Sequence, residues 1–448
     1  MFRKVLVANR GEIAVRVIRA LRDLGIRSLA VYSKEDENSL HAQLADQRLC
    51  IGEGPAKNHY LNKEQIVTAA LNLEADAIHP GFGFLSENAA FARLCKEQGL
   101  TFIGPSAQAI EIMGNKSSAR QKMSSAGVPI VEGTQEPVYD AASAAEFADQ
   151  IGYPVMIKAS SCGGGKGMRI AADKLSFEAQ FNMAQRESAN AFGDDTMYIE
   201  RYVENPKHVE IQIMADSHGN VVFLGERDCS VQRNHQKLVE EAPSPAVTPE
   251  IRASMGAAAV AAARAVDYTN AGTVEFIMDP KGNYYFMEMN TRIQVEHGVT
   301  EMVTGTDLVI EQIRVAMGEP LSFRQEDIQM RGHSIECRIN AEVPEMNFRP
   351  SPGLVSHLHL PAGNGVRVDT ALYTGYKIPP DYDSMIAKVL VHAPTRPQAI
   401  AKMRSALDEM VVAGINTNID FQYQIMRNPI FQEGRASTNF VNQMLRID

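Results

Sequence analysis

The chain has 448 residues, which is enough for about two to four domains with substantial cores. Hydrophobic residues make up 45% of it and charged residues 22%, a balance that is ordinary for a soluble globular protein. The formal net charge is −10, which argues against a protein that binds nucleic acid or an anionic membrane surface.

Cysteine usage and hydropathy bound the cellular setting. The cysteines form no Cys-x-x-Cys pair, so a zinc site or a disulfide framework is not expected; they are Cys50, Cys95, Cys162, Cys229 and Cys337. Scattered cysteines fit a reducing compartment. No apolar run approaches the ~20 residues of a membrane span, and the first residues lack a signal-peptide pattern. We therefore expect a cytoplasmic protein without a membrane partner.

Strand and helix patterns alternate through residues 1–113, which we interpret as an N-terminal domain. Strands are predicted at 5–8, 28–32, 76–79 and 102–104, and helices at 11–24, 66–73 and 89–98. This alternation predicts a doubly wound parallel sheet, in which ligands bind at the carboxyl ends of the strands. Residues 9–11 and 79–84 follow two such strands. Because Gly11 stands outside any G-x-G-x-x-G motif, a dinucleotide is not expected.

A glycine-rich segment marks the second region, 114–331, and lies in a small α+β module at about 131–203. The segment contains Gly163, Gly164, Gly165, Lys166 and Gly167. Glycines around a lysine allow backbone N–H groups to curl around a phosphate. It is not a Walker A loop, because no Ser or Thr follows the lysine and the loop joins two strands. A mobile turn is the commoner reading, but Lys116 and Lys158 nearby in sequence favour phosphate binding.

The centre of this region contains a hairpin over residues 274–289. Its turn chemistry at 279–283 places Glu275 directly opposite Glu288. Like charges there are destabilising, so a cation between them is expected. Asn290 and Arg292 follow on the same face, which then suits Mg²⁺ and a polyphosphate with a second anion beside it. The alternative is a solvated polar face. Before the hairpin, residues 226–237 are predicted to be an irregular polar loop, which is either a solvated connection or a contact with substrate.

The third region, residues 332–448, mixes short strands with two helices. In the predicted strand 334–342, Glu336, Arg338 and Asn340 share one face. Such a face needs cover from an earlier domain unless it is solvated. The fold class is therefore α/β and α+β multidomain, with a doubly wound N-terminal domain and a C-terminal α+β domain.

Several motifs resemble those of the biotin carboxylases, the ATP-grasp subunits of biotin-dependent carboxylases. They are KVLVANRGEIAVRVIRA at 4–20, HPGFGFLSEN at 79–88, GNKSSAR at 114–120, GYPVMIKASSCGGGKGMR at 152–169, RDCSVQRNHQKLVEEAPSP at 227–245 and MEMNTRIQVEH at 287–297. The resemblance covers essentially the whole chain and is greatest to the free-standing subunit of bacterial acetyl-CoA carboxylase. It implies a central ATP-grasp domain with a mobile lid at about 131–203.

The resemblance also implies roles for individual residues. ATP phosphates are assigned to Lys116, Lys158 and the glycine-rich loop at 163–167. Adenine is assigned to Glu200 and the backbone of Val203, and the rest of the nucleotide pocket to His208, Gln232 and His235. Two magnesium or manganese ions are assigned to Glu275, Glu288 and Asn290. Bicarbonate is assigned to Lys237, Arg292, Gln294 and Val295 with Glu296 as its base, and the biotin ureido oxygen to Arg338.

The implied reaction is ATP-dependent carboxylation of biotin with bicarbonate through carboxyphosphate, the first half-reaction of acetyl-CoA carboxylase. Metal and lysines would stabilise the transferring phosphoryl group, and a closed lid would protect the intermediate from water. The implied partners are a biotin carboxyl carrier protein, carboxyltransferase subunits and a second copy of the chain. The nearest match to a biotinylation motif, residues 401–403, lies in a helix pattern and is interpreted as structural.

Three departures from the family pattern leave these side chains in place. Gly298 stands where proline is expected, Asn234 where a basic residue is common, and Arg201 where lysine is common. Two other functions stay open. An ATP-grasp ligase that joins a carboxylate to an amine would share the hairpin and lid but would not need Arg338. A nucleotide sensor without catalysis would tolerate loss of Glu296 and Lys237, yet both are present.

Overall fold

The computed structural model describes residues 1–134, 136–159, 168–193 and 195–445. The side chains of residues 191 and 192 are also left undescribed. The predicted phosphate-binding residues Gly163 to Gly167 therefore lie outside the described residues. Within the described ranges, no helix combines the length and the apolar composition that crossing a bilayer requires.

A parallel sheet forms the N-terminal part. Its elements are the strands β1 (Lys4–Val7), β2 (Arg27–Tyr32), β3 (Gln47–Cys50), β4 (Ala77–His79) and β5 (Thr101–Phe102) and the helices α1 (Gly11–Asp23), α2 (Leu40–Leu44), α3 (Lys63–Asn72), α4 (Ala89–Glu97) and α5 (Ala107–Gly114). The strand order is β3-β2-β1-β4-β5. Val5 and Val7 pack with α1 on one face, and Leu6 packs with α3 and α4 on the other. The predicted doubly wound sheet is confirmed.

A smaller antiparallel sheet follows. Its elements are the helices α6 (Lys116–Ser125), α7 (Ala141–Ile151) and α8 (Lys174–Phe192) and the strands β6 (Val155–Ala159), β7 (Met168–Ala171) and β8 (Met197–Arg201). The strand order is β7-β6-β8. Asp173 caps α8 by accepting a hydrogen bond from the backbone N–H of Ser176. Phe177 and Phe181 of that helix are buried against Ile157 and Ile199 of the sheet. This small core gives the module its own stability.

The rest of the central part supplies strands to a large sheet. Its elements are β9 (Lys207–Ala215), β10 (Val221–Arg233), β11 (Gln236–Ala242), β12 (Asn270–Met278), β13 (Tyr284–Asn290), α9 (Pro249–Ala265), α10 (His297–Thr304) and α11 (Leu308–Ala316). The helix α9 packs on β9 and β10 through Met255, Ala259 and Ala262. Small side chains allow this close approach of helix and sheet.

The predicted polar loop at 226–237 is wrong. These residues continue β10 to Arg233, turn at Asn234-His235, and begin β11 at Gln236. Both turn residues have positive φ (48° and 65°), which asparagine tolerates well and which explains the asparagine at position 234. The strand was not recognisable because its polar residues are buried with partners instead of alternating with apolar ones. Arg227, for example, is 0% exposed.

The C-terminal part completes the large sheet. Its elements are β14 (His333–Asn340), β15 (Glu342–Val343), β16 (Arg349–Pro350), β17 (Gly353–Leu354), β18 (His357–His359), β19 (Val366–Thr370), β20 (Lys377–Ile378), β21 (Met385–Ala393), β22 (Val411–Ala413), α12 (Arg396–Glu409), α13 (Ile419–Arg427), α14 (Pro429–Gln432) and α15 (Phe440–Leu445). The sheet order is β13-β12-β9-β10-β11-β14-β21-β19. The pairing of β11 with β14 therefore joins the central and C-terminal parts in one sheet.

The two faces of β14 meet different neighbours. Ile335, Cys337 and Ile339 are buried in the core of the C-terminal part with α12 and α13. The polar face is covered by α10, while Lys388 on the adjacent strand β21 reaches Glu12 on α1 at 3.5 Å. The expectation that earlier domains cover this polar face is met. The cover also places Arg338 beside residues of the central part.

Candidate active site

A cavity of about 1220 Å³ opens between the N-terminal sheet, the small sheet and the large sheet. Every sequence-predicted site residue outside the glycine-rich loop lines it. They are Lys116, Lys158, Glu200, Val203, His208, Gln232, His235, Lys237, Glu275, Glu288, Asn290, Arg292, Gln294, Val295, Glu296 and Arg338. The fold thus brings together residues that are far apart in the chain.

The predicted hairpin has the expected register. Glu275 on β12 pairs with Glu288 on β13, and on its other side with Glu210 on β9. Three carboxylates therefore stand side by side across adjacent strands. Glu210 is 0% and Glu275 5% exposed, whereas Glu288 opens into the cavity. Partial desolvation there and the charge of Glu275 raise the pKa of Glu288.

The hairpin offers oxygen ligands suited to a divalent cation. Asn290 donates a hydrogen bond to Glu275 Oε1 at 2.8 Å, so its amide lies beside the carboxylate pair. Burial and the charge of Glu275 raise the pKa of Glu288, and a bound cation would oppose both effects. Carboxylate and amide oxygens are the ligand types that Mg²⁺ accepts. These residues fit the predicted metal ions.

Lys237 is the central cation of the site. Its Nζ lies 2.6 Å from Glu210 Oε2, 2.9 Å from Glu275 Oε1 and 2.6 Å from Glu296 Oε1. Burial disfavours the ammonium, but the three carboxylates outweigh it and raise the pKa of Lys237 well above its usual value. Burial raises the pKa of Glu296, but the charge of Lys237 outweighs burial and lowers this pKa. Glu296 is therefore a buried but ionised carboxylate, as a base requires.

His208 is held beside the same carboxylates. Its Nε2 lies 3.3 Å from Glu275 and 3.6 Å from Glu210. Burial lowers the pKa of His208, but Glu275 and Glu210 more than reverse this and raise it to about 9. The ring is therefore a cation at neutral pH. It complements Lys237 in offsetting the buried negative charge.

Arg338 joins the C-terminal part to the base. Its Nη2 lies 2.9 Å from Glu296 Oε2 and 2.6 Å from Glu240 Oε1. Its Nε also donates to Glu240 Oε1 at 2.6 Å. Glu240 on β11 and Glu296 before α10 thus share one guanidinium. Glu240 was not predicted from the sequence as a site residue.

Arg292 is held from the N-terminal part. Its Nε donates to Glu87 Oε2 at 2.8 Å, and its Nη2 donates to Asn290 Oδ1 at 2.8 Å. Glu87 lies in the motif at 79–88 and also accepts from the backbone N–H of Thr291 at 3.1 Å. One carboxylate therefore fixes both the backbone and the side chain after β13. Glu87 was missed because its partners lie about two hundred residues further along the chain.

Charged residues also meet at the nucleotide end of the cavity. Lys158 on β6 forms an ion pair with Glu200 on β8, and Arg120 Nη1 lies 2.8 Å from Glu200 Oε1. Lys158, which is predicted to bind the ATP phosphates, is thus paired with Glu200, which is predicted to bind adenine. The side chain of Arg201 turns to Glu132 at 2.5 Å, so the residue lines the cavity without a free guanidinium.

Arg227 organises the floor beneath the site. It is 0% exposed and donates to five oxygens at 2.6 to 3.1 Å, on Glu210, Gln212, Thr273, Gln294 and Thr300. A planar fork suits such a multiple contact. It thereby holds Gln294, which lines the cavity, and Glu210, which forms an ion pair with Lys237. The run of polar residues at 226–232 was its only sequence signal.

Gly298 follows Glu296 and His297 at the start of α10. A Cβ built on it would lie 2.4 Å from Leu390 Cδ2, which is closer than atoms can approach. Glycine thus lets α10 pack tightly onto β21. This close contact with Leu390 is a steric reason for glycine at position 298, where the family pattern has proline.

Models of protein families match all three parts. The biotin carboxylase N-terminal domain matches residues 1–110, the ATP-binding domain of the carbamoyl-phosphate synthase L chain matches 115–324, and the biotin carboxylase C-terminal domain matches 336–443. The order of these matches agrees with the three predicted domains.

Individual relatives match over nearly the full length. A biotin carboxylase of Bacillus subtilis is 56% identical and one of Nostoc sp. is 54% identical, covering 98% and 99% of both chains. Among solved structures, the biotin carboxylase domain dimer of 2-oxoglutarate carboxylase from Hydrogenobacter thermophilus, in complex with MgADP, ADP and bicarbonate, has a TM-score of 0.92. It is 50% identical and covers 100% of this chain and 98% of its own. This chain therefore belongs to the biotin carboxylase family of ATP-grasp enzymes, as its motifs indicated.

Proposed function

We propose that this chain carboxylates biotin with bicarbonate and ATP, with one group of residues for each substrate. The observation that carries the proposal is the position of Glu296, a buried ionised carboxylate between Lys237 and Arg338. An anionic substrate that binds to the two cations displaces the carboxylate of Glu296 from them. The displaced carboxylate can then take the proton of that substrate. The remaining cavity residues then divide into a nucleotide end and a biotin end.

At the nucleotide end, Lys116 and Lys158 bind the phosphates of ATP, together with the glycine-rich loop at 163–167. Adenine lies near Glu200 and the backbone of Val203, and His208, Gln232 and His235 line the same pocket. Mg²⁺ or Mn²⁺ is held by Glu275, Glu288 and Asn290. Metal and lysines supply the positive charge that a transferring phosphoryl group requires. The Hydrogenobacter relative binds MgADP, which supports a magnesium nucleotide as a ligand of this chain.

Bicarbonate binds between Arg292, Gln294, the backbone of Val295 and Lys237. The guanidinium fork of Arg292 matches a planar oxyanion, and Glu87 holds that fork in place. Glu296 takes the bicarbonate proton, which makes the anion nucleophilic toward the γ-phosphoryl group. The product, carboxyphosphate, releases CO₂ beside biotin. The bicarbonate in structures of the relative supports the assignment.

Biotin binds last, with its ureido oxygen at Arg338. Loss of an N–H proton puts negative charge on that oxygen, and a guanidinium stabilises it. Released phosphate is the acceptor of the proton. Arg338 is engaged by Glu240 and Glu296, so biotin displaces one of these contacts when it binds.

The proposal extends to partners and location. The chain acts in the cytoplasm, as a homodimer, on a biotin carboxyl carrier protein, and carboxyltransferase subunits pass the carboxyl group to acetyl-CoA. The Hydrogenobacter domain is a dimer, which supports the homodimer. We place the domain boundaries at 1–113, 114–331 and 332–448, with the lid at about 131–203.

Phosphate release is the direct test. Purified protein is given ATP, Mg²⁺, bicarbonate and free biotin, and each component is omitted in turn. We expect release to require ATP, metal and bicarbonate and to rise strongly with biotin. Release that ignores biotin but needs an amine acceptor would identify an ATP-grasp ligase of carboxylates instead.

A further inference from the structure

The carboxylate of Glu336 is buried without a partner. It lies on the polar face of β14, is 0% exposed, and does not line the cavity. Among the described residues, no donor forms a hydrogen bond with either oxygen of Glu336. No nitrogen of a described lysine, arginine or histidine side chain lies within 4 Å of these oxygens. A charged carboxylate in such a place is strongly disfavoured. The mechanism above gives Glu336 no task.

Glu336 stands opposite a carboxylate that the mechanism does use. In the pairing of β11 with β14, Glu240 is the direct cross-strand partner of Glu336. Cross-strand side chains lie ~5 Å apart at Cβ, where like charges repel. Glu240 Oε1 accepts from Arg338 at 2.6 Å, while its Oε2 has no partner among the described residues. Only one member of the pair is therefore compensated by a cation.

The surrounding cations act on Glu336 only from a distance. Lys388 on β21 is the cation that acts most strongly on it, but Lys388 forms its ion pairs within 4 Å with Glu12 and Asp369, and its Nζ donates to the carbonyl oxygen of Val295 at 2.6 Å. The helix α10 closes the site from above, since a Cβ on Gly298 would lie 3.5 Å from Glu336 Oε2. The titratable and charged groups that face the pair from the packed elements are Glu12, Arg16, Lys237, Glu296, His297, Glu301, Arg338, Arg367, Asp369 and Lys388.

We propose that Glu336 is held as a neutral acid beside Glu240 and thereby positions Arg338, because Glu240 is then the single anion of the pair. This inference rests on the proposed role of Arg338 toward biotin. Glu240, with one charge, orients the guanidinium toward Glu296 and the cavity. An ionised Glu336 adds a second negative charge to the sheet face behind the guanidinium of Arg338. That charge draws the guanidinium away from the substrate.

The electrostatics agree with this geometry. Burial raises the pKa of Glu336 well above its usual range, and the charges of Glu240 and Glu296 raise it further against the effect of Lys388. Burial also raises the pKa of Glu240, to about 7, but there the contact with Arg338 opposes the rise. Of the two carboxyls, Glu336 therefore holds its proton more tightly.

The pH dependence of kcat/KM for biotin tests the proposal in the full-length protein. Two neutral replacements, Glu336→Gln and Glu336→Met, are compared with the wild type and with Glu240→Gln from neutral to alkaline pH. Near neutrality, we expect kcat/KM of both position-336 variants to stay within about threefold of the wild-type value. At alkaline pH, we expect their kcat/KM to decline less than that of the wild type. Glu240→Gln, which removes the charge behind Arg338, should lose about tenfold or more at every pH.

Every outcome decides the proposal. An alkaline decline in the position-336 variants equal to that of the wild type overturns it, and so does a larger loss at 336 than at 240. If Glu240→Gln folds and neither neutral variant at 336 does, Glu336 requires its charge and the proposal is wrong. Arg338→Ala is measured in parallel. Absence of carboxybiotin formation in the wild type refutes the proposed function itself, and normal formation in Arg338→Ala refutes only the proposed role of Arg338. Loss of carboxybiotin formation in Arg338→Ala with an unchanged Glu336→Gln profile refutes only this inference.

Discussion

Glu296 and Arg338 form an ion pair of 2.9 Å that joins the start of α10 to β14 of the C-terminal part. The base proposed for bicarbonate and the cation proposed for biotin thus neutralise each other. In the proposed reaction, this one contact links bicarbonate activation to biotin carboxylation, and variants of the two residues are expected to separate these two steps.

The metal hairpin gives the first prediction. Glu288→Gln should keep the fold but abolish turnover and the Mg²⁺ dependence of nucleotide binding, because a neutral amide cannot balance the ion. Stability of the free protein should be equal or higher, since one of two facing like charges is removed. Thermal unfolding and ATP turnover are measured beside Glu345→Gln, an exposed control. Near-normal turnover in Glu288→Gln would remove the hairpin from the active site.

The small sheet gives the second prediction. Lys158 is paired with Glu200 in the free chain, and phosphate binding must recruit this lysine. We expect ATP to slow hydrogen exchange of backbone amides in β6 and β8, as in a segment that a ligand orders. Peptides from α12 serve as the control. Equal exchange of β6 and β8 with and without ATP would mean that the module does not respond to nucleotide.

Acid stability gives the third prediction. Burial lowers the pKa of His79 to about 4, from a value of about 6.5 in the unfolded chain. Between about pH 4 and pH 6.5, the unfolded chain therefore binds more protons than the folded chain does. The stabilisation from neutral His79 is lost as the pH falls through this range. The free energy of unfolding of the wild type should fall toward that of His79→Gln by up to roughly 3 kcal/mol. Parallel curves for the two proteins would contradict a buried neutral His79.

Local pattern predicted much of this molecule, and the failures have a common cause. The doubly wound sheet and the facing of Glu275 and Glu288 follow from periodicity and turn chemistry, which act over a few residues. The continuation of β10 over residues 226–233 was missed because Arg227 and its neighbours are polar and buried. Only partners from other strands make that burial possible, and a single sequence does not display them.

Contacts between parts of the chain were likewise beyond the sequence. Glu87 holds Arg292, and Arg10 forms a two-point contact with Asp36 while it stacks on Tyr382 at 3.9 Å. Each contact needs the relative placement of the folded parts. The residue roles that the family resemblance implied stay predictions, although their side chains line one cavity.

The absence of a biotinylation motif gives the fourth prediction. The nearest candidate, Lys402, lies on α12, and its Nζ donates to the carbonyl oxygens of Asn364 and His392 at 2.8 and 2.7 Å. A lysine engaged in this way is a poor acceptor. Mass spectrometry of the protein co-expressed with a biotin ligase should show an unmodified chain. Stoichiometric biotin on any lysine would show that the chain carries its own biotin.

The last prediction separates bicarbonate activation from biotin carboxylation. We propose that Glu296 and Lys237 act on bicarbonate before biotin enters, and that Arg338 acts on biotin. Arg338→Ala should therefore cripple carboxybiotin formation but spare more of the slow bicarbonate-dependent ATP hydrolysis, which ends in CO₂ and phosphate. Glu296→Ala should lose both activities, because bicarbonate that keeps its proton is a poor phosphoryl acceptor.

The size and chemistry of the effect make the test practical. Removing one oxyanion donor typically costs ~10²–10³ in rate, so the gap between the two activities is visible in a phosphate assay. Arg338→Lys keeps the charge but loses the fork that now spans Glu240 and Glu296, and it should recover only part of the activity. Equal proportional losses of both activities in Arg338→Ala and Glu296→Ala would contradict the division of labour. Unequal losses in the stated direction place the base and the biotin cation in successive steps.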